Sequence, residues 1–81
     1  MAWFVYMLEC ADGSLYTGVA ADMSKRLREH NDGKGAKYTR GRTPVSLVYT
    51  ERCADRSGAA KREYVIKRMT RVKKLSLIPQ P

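Results

Sequence analysis

The segment Trp3-Phe4-Val5-Tyr6-Met7-Leu8-Glu9 constrains this chain more than any other part of it. Its run of aromatic and apolar residues predicts a strand covered on both faces, because no polar residue alternates with them. Asp12-Gly13 supplies a turn, and Leu15-Tyr16-Thr17-Gly18-Val19-Ala20 reads as the antiparallel return strand. Gly18 inside that strand marks a bulge or a close approach by another backbone or a ligand. At 81 residues the chain has room for one core, so the residues after Ala20 must cover both faces of this hairpin.

Those residues carry the patterns to do so. Asp22 is a good N-cap for a helix running to about His30, and Asn31-Asp32-Gly33 stops it. Met23 and Leu27 form its apolar stripe, and Arg26 and His30 form a second i, i+4 pair at the edge of the buried face. Residues 33–43 read as a loop rich in glycine and positive charge. Pro44 opens a third strand, Val45 to Glu51, in which Val45, Leu47 and Tyr49 alternate with Ser46, Val48 and Thr50. Asp55 or Ser57 caps a second helix to about Thr70, with Ala59, Val65, Ile66 and Met69 as its apolar arc. Glu63 projects between Ala59, Ala60 and Ile66, toward the sheet. A carboxylate buried there needs a partner, a cation or a raised pKa. A last short helix, Val72 to about Ile78, adds Leu75 and Ile78 to the core, and Pro79-Gln80-Pro81 frays. The expectation is an α/β fold: a three-stranded antiparallel sheet flanked by helices, one domain over residues 1–81 with its core at about 3–78.

Sixteen Lys and Arg against eight Asp and Glu leave a net charge of +8. Such a balance speaks to partners more than to fold, and a polyanion is the natural one. No segment pairs a sustained apolar face with a basic one, as a membrane-surface helix would, and no apolar run approaches the ~18 residues of a membrane span. Nucleic acid, DNA or RNA, therefore leads. The start of the chain lacks a basic segment and a cleavage site, which predicts a cytoplasmic location. Cys10 and Cys53 then read as reduced thiols, and a zinc site of Cys10, His30 and Cys53 lacks any close ligand pair.

Cutting a phosphodiester requires an activated water, neutralisation of charge at phosphorus and stabilisation of the departing oxygen. A carboxylate-held metal, a guanidinium and a general base supply these, which directs attention to Glu63, Arg26, His30 and the tyrosines. Each alone is ordinary: Arg26 as a solvated helix arginine, Glu63 as an i, i+4 partner of Lys67, His30 at a helix C-terminus, Tyr6 and Tyr16 as packing residues. Their order is less ordinary. Val5-Tyr6 on the first strand, Tyr16-Thr17-Gly18 on the second, Arg26 ten residues on, His30 one turn later and then Glu63 resemble the GIY-YIG nuclease family. The likeness is greatest to its small single-domain branch, akin to the nuclease domain of structure-specific endonucleases. The segments 26–31, 35–40 and 44–51 resemble that branch too, so the likeness spans roughly residues 3–78.

The resemblance implies Mg²⁺- or Mn²⁺-dependent hydrolysis of DNA, with no small-molecule cofactor, and a place in DNA repair or recombination. Tyr6 matches the tyrosine of the first motif, and Tyr16 and Gly18 match the ends of the second. Arg26 matches the catalytic arginine, Glu63 the carboxylate that holds the metal, and His30 a helix residue that contacts the catalytic tyrosine. Tyr16, or a water relay through it, is then the general base, with His30 as candidate acceptor for its proton. Phe4 stands where the first motif's glycine would be. Val19 stands where some members, such as the excision-repair nucleases, carry a lysine.

Lys34, Lys37, Arg40 and Arg42, with Tyr38 between them, read as a phosphate-contacting loop with a base-stacking aromatic, and Gly18 joins them as a point of close approach. None of these specifies a sequence, so low sequence specificity, recognition of DNA structure, or a protein partner that supplies the target is expected. The rival readings are a non-catalytic nucleic-acid-binding module on the same fold, and a small basic protein directed at RNA or a ribosomal surface. One geometric consequence is testable. For Tyr6 and Tyr16 to share a sheet face, paired positions must sum to an even number, which a two-residue Asp12-Gly13 turn would not give.

Overall fold

A computed structural model describes residues 2–79; Met1, Gln80 and Pro81, and with them most of the expected frayed tail, lie outside the described residues. Three strands form one antiparallel sheet in the order β2-β1-β3: β1 at Trp3–Glu9, β2 at Leu15–Ala20 and β3 at Ser46–Cys53. Three helices cover it, α1 at Met23–Asn31, α2 at Arg56–Lys67 and α3 at Arg71–Leu77. The central strand is the one the sequence marked as covered on both faces: Val5, Met7 and Leu8 have no exposed surface and Tyr6 almost none. Full burial of each such aliphatic side chain contributes roughly 1.5–3 kcal/mol, which anchors the sheet between its two helical layers. No helix among the described residues is long and apolar enough to cross a membrane.

The hairpin resolves the register question in favour of a shared face. Cys10 N donates to Ser14 O at 2.9 Å and Gly13 N to Cys10 O at 2.9 Å, enclosing a three-residue loop with Gly13 at φ +84°. A type I turn closed by a left-handed glycine is a common three-residue hairpin connection, and here Asp12 also accepts from Ser14. Tyr6 therefore pairs with Gly18, and Tyr6 and Tyr16 point to the same side.

Local caps set the helices. Asp22 accepts from Lys25 N at 3.0 Å at the start of α1, and Asp55 from Gly58 N at 2.7 Å at the start of α2. Thr70 does not extend α2 as expected; its hydroxyl accepts from Lys73 N and opens α3 instead. The expected loop 33–43 contains a 3₁₀ turn at Lys37–Thr39.

Three core assignments change. β1 and β3 slip register between Met7–Tyr49 and Leu8–Leu47, so Val48 is an extra residue and the alternation breaks there. Tyr49 thus joins Val48 on the α2–α3 face rather than sharing a face with Leu47. Val65 is exposed because the buried stripe of α2 is Ala59 and Ile66, seven residues apart. Leu75 is exposed as well, and Leu77 reaches the core in its place, beside the expected Ile78. The two faces are then distinct. Tyr6, Leu8, Cys10, Ala20 and Val45 pack with Tyr16, Met23 and Leu27 under α1, while Val5, Met7, Ala59 and Ile66 pack under α2 and α3. Both cysteines are free thiols.

Candidate active site

The α1 face of the hairpin gathers Tyr6, Tyr16, Arg26 and His30. The Tyr6 and Tyr16 ring centres lie 6.3 Å apart, and the His30 ring meets both edge-on at 5.9 and 5.3 Å. Tyr6 Oη is 2.8 Å from His30 Nε2, and Arg26 Nε donates to the same oxygen over a long 3.4 Å. These contacts arise from register and helix period together. Tyr6 is buried on the central strand, and the Arg26–His30 pair, one turn apart on α1, descends onto it.

Thr39 sets the direction of each bond. Its Oγ1 donates its one hydrogen to Ala36 O at 2.9 Å, so its 2.8 Å contact with His30 Nδ1 is accepted from the ring. His30 is therefore assigned as the Nδ1–H tautomer, and its Nε2 accepts from the Tyr6 hydroxyl. Burial, and then the Arg26 charge, hold the imidazole below its ordinary value, so it is neutral near pH 7. Burial also pushes the Tyr6 phenol up; the Arg26 hydrogen bond opposes this, and the Tyr16 and Glu63 charges add to it. Tyr6 is thus a held hydroxyl, with its proton committed to His30.

One expectation changes: His30 accepts from Tyr6, not from Tyr16. Tyr16 Oη has no hydrogen-bond partner among the described residues, and its half-buried ring stacks on Tyr38 at 5.9 Å. Thr39 and Asn31, to which the sequence assigned no role, help to build the site. Thr39 fixes the tautomer, and Asn31 clamps the start of β3 by accepting from Val45 N at 2.7 Å and donating to Val45 O at 3.2 Å. A threonine nine residues after a histidine carries no local signal of that kind.

Glu63 reaches the site differently from the way its wheel position suggested. α2 covers the face opposite the tyrosines and lies against β2, which is an edge strand. The site therefore straddles the β2 edge and is not confined to one sheet face. The Glu63 side chain is 23% exposed and accepts an ion pair from Lys67 Nζ at 3.3 Å. Its charge is near enough to act on the Tyr6 hydroxyl.

Gly18, expected at the nucleic-acid surface, is buried. A Cβ there would sit 2.6 Å from Tyr6 Oη and 3.1 Å from Tyr16 Cε2, so the close approach that needs a glycine is made by the tyrosines. The basic loop divides. Lys34, Lys37 and Arg40 are exposed. Arg42 instead spans the hairpin and the loop, with Nε on Asp12 Oδ2 at 3.0 Å and Nη1 on Tyr38 O at 2.6 Å. Its guanidinium also lies 4.3 Å from the Tyr38 ring centre, so that ring already carries Arg42 and Tyr16.

The neutral histidine has a consequence for stability. The unfolded chain binds a proton at about pH 6.5, while the native ring resists it until lower pH. Stability is complete above about 6.5 and falls as pH drops toward the native value. Urea midpoints measured from pH 7.5 to 5 are expected to decline for the wild type and to flatten over that range for His30→Gln. Equal slopes in the two proteins would remove the ring as the cause.

The comparisons with known proteins bear on the family and the fold. The family model described as the GIY-YIG catalytic domain matches residues 2–76. A UPF0213 protein of Desulfotalea psychrophila is 55% identical over 78 residues, covering 95% of this chain and 71% of the relative. A UPF0213 protein of Staphylococcus aureus is 57% identical over 77 residues, covering 95% of this chain and 94% of the relative. Among solved structures, the solution NMR structure of a UPF0213 protein from Bacillus halodurans matches with a TM-score of 0.60 at 48% identity, covering 95% of this chain and 82% of that one. With that model matched over nearly the whole length of this chain and relatives more than half identical, the chain belongs to the GIY-YIG catalytic domain family.

Proposed function

We propose that this protein is a divalent-metal-dependent endonuclease that hydrolyses DNA phosphodiester bonds, with low sequence specificity or a preference for DNA structure. The observation that carries the reading is the convergence of Tyr6, Tyr16, Arg26 and His30 on one face of the hairpin, with Glu63 across the β2 edge. Membership of a nuclease-type family supports it.

The residues divide the work. Arg26 uses Nε on Tyr6 and Nη1 on Glu29 at 3.3 Å, leaving Nη2 without a partner among the described residues and able to take a phosphate oxygen. Tyr6 and His30 are positioning residues: the Thr39–His30–Tyr6 string holds the oxygen against which Arg26 is set. Tyr16 is left to orient the attacking water, whose proton passes through that hydroxyl to solvent. No group of three metal-ligating side chains exists among the described residues, but Mg²⁺ keeps most of its waters and needs only one or two carboxylates plus substrate phosphate. Glu63, partly exposed and with its charge reaching the Tyr6 hydroxyl, fits that modest requirement. An ion held there would neutralise charge on the reacting phosphate and its departing oxygen. Lys34, Lys37 and Arg40 would contact flanking phosphates without reading sequence.

Nicking of supercoiled plasmid and of a branched duplex, with Mg²⁺, Mn²⁺ or EDTA, tests the reading. Cleavage is expected with either ion and none in EDTA. A purified protein that binds both DNAs yet cuts neither would be a nucleic-acid-binding module on a nuclease fold.

A further inference from the structure

Three arginines are already committed. Arg26 serves Tyr6 and Glu29, Arg42 serves Asp12 and the Tyr38 carbonyl, and Arg62 serves Glu51 at 2.9 Å. Two lysines differ. Lys67 and Lys74, with Leu15, Tyr16, Thr17 and Tyr38, line an open cleft of about 410 Å³ at the β2 edge. Lys74 makes no ion pair among the described residues. Lys67 stands between two partners, with Nζ 3.3 Å from Glu63 Oε2 and 5.9 Å from the Tyr16 ring centre.

The pair with Glu63 is an i, i+4 contact in which the lysine side chain is 51% exposed. Such pairs are weak and exchange readily. The carboxylate is also the one this site offers a divalent cation, and an ammonium on the same oxygen repels that cation. Phosphate entering the cleft gives Lys67 somewhere else to go, beside Lys74.

We infer that Lys67 is an exchange residue: it covers Glu63 in the free protein and moves onto a substrate phosphate, together with Lys74, when a divalent cation takes the carboxylate. The inference rests on the nuclease reading of Glu63. It gives Lys67 two roles of opposite sign, one restraining cation binding and one promoting substrate binding.

Mn²⁺ binding to the DNA-free full chain, monitored by the loss of the free-ion electron paramagnetic resonance signal, tests the first role in wild type, Lys67→Met and Glu63→Gln. Removing the ammonium is expected to tighten Mn²⁺ binding about three- to tenfold, the range a single charge a few ångströms away gives under partial screening. Glu63→Gln is expected to abolish it. Binding to Lys67→Met no tighter than to wild type, with Glu63→Gln inactive in binding, overturns the exchange while leaving Glu63 as the ligand. Unchanged binding to Glu63→Gln overturns the metal reading itself, and the exchange with it.

DNA binding at a series of salt concentrations tests the second role. At saturating Ca²⁺, Lys67→Met should show a slope of log K against log salt smaller in magnitude by about 0.9 than wild type, the loss of one phosphate contact, and in EDTA it should keep nearly the wild-type slope. Lys74→Met should weaken DNA binding without tightening Mn²⁺. Equal slope losses for Lys67→Met in Ca²⁺ and EDTA would make Lys67 a fixed contact and refute the exchange.

Discussion

Arg26→Ala is expected to slow single-turnover DNA nicking by about 100- to 1,000-fold, the cost of removing one preorganised donor aimed at developing charge. The guanidinium makes two contacts within the protein, one long bond to Tyr6 and one partly exposed pair with Glu29. Neither adds much stability; an exposed pair of this kind contributes under about 1 kcal/mol, so the urea midpoint should barely move. DNA affinity should fall only by the share of one phosphate among many. Loss of rate with retained fold and binding separates a role at the reacting phosphate from a role in docking. Arg26→Lys makes the comparison sharper. It keeps the charge but loses the planar donor set that reaches Tyr6 and a phosphate at once, so its rate should lie nearer alanine than wild type. An Arg26→Ala rate within threefold of wild type would remove this residue from the chemistry. Glu63→Ala is expected to be as slow as Arg26→Ala, and raising the Mn²⁺ concentration should not rescue it.

The parts of this molecule legible in its sequence are those set by local chemistry. The apolar run of β1, the Asp22 and Asp55 caps and the glycine after Asp12 each act within a few residues, and each appears where the pattern puts it. The family was legible through the order of a few residues along the chain. The wiring was not. Whether His30 meets Tyr6 or Tyr16 depends on how α1 descends onto the hairpin, and two tyrosines on one face look alike until that angle is fixed. Arg42 read as a free phosphate contact because its partner Asp12 lies thirty residues away, on a turn that needs no partner to form. Val48 is hidden for a related reason: a bulge leaves composition and periodicity almost intact while turning Tyr49 to the other face. Glu63 was placed on the correct helix, but the wheel could not show that α2 lies against an edge strand. That edge is what lets the charge of a carboxylate on one side of the sheet reach a tyrosine hydroxyl on the other.

Gly35→Ala should be the most damaging small substitution in the protein, although the sequence presents Gly35 as one glycine in a basic loop. It is buried against His30, and a Cβ there would overlap Nδ1 of the ring and lie 2.8 Å from its Cγ and 2.9 Å from the His30 Cα. The ring has little freedom to retreat, because Nε2 is held by Tyr6 and Nδ1 by Thr39, both at 2.8 Å. Overpacking costs typically 1–3 kcal/mol, and parting either bond leaves a buried polar group unpaired at about 1–3 kcal/mol more. A total on the order of 3 kcal/mol would lower the melting temperature of a domain this size by roughly 10–20 °C. Gly33 and Gly41 provide the control. Both have positive φ (+76° and +79°) with nothing within 4 Å of an added Cβ, so alanine there tests backbone conformation alone, at about 1 kcal/mol. Gly35→Ala should also slow nicking beyond what its lost stability explains, even well below its melting temperature. Displacing His30 shifts the Tyr6 oxygen that Arg26 is set against. If Gly35→Ala melts no lower than Gly33→Ala and cuts DNA at the wild-type rate, the ring has another place to sit and the Thr39–His30–Tyr6 string does not hold the site.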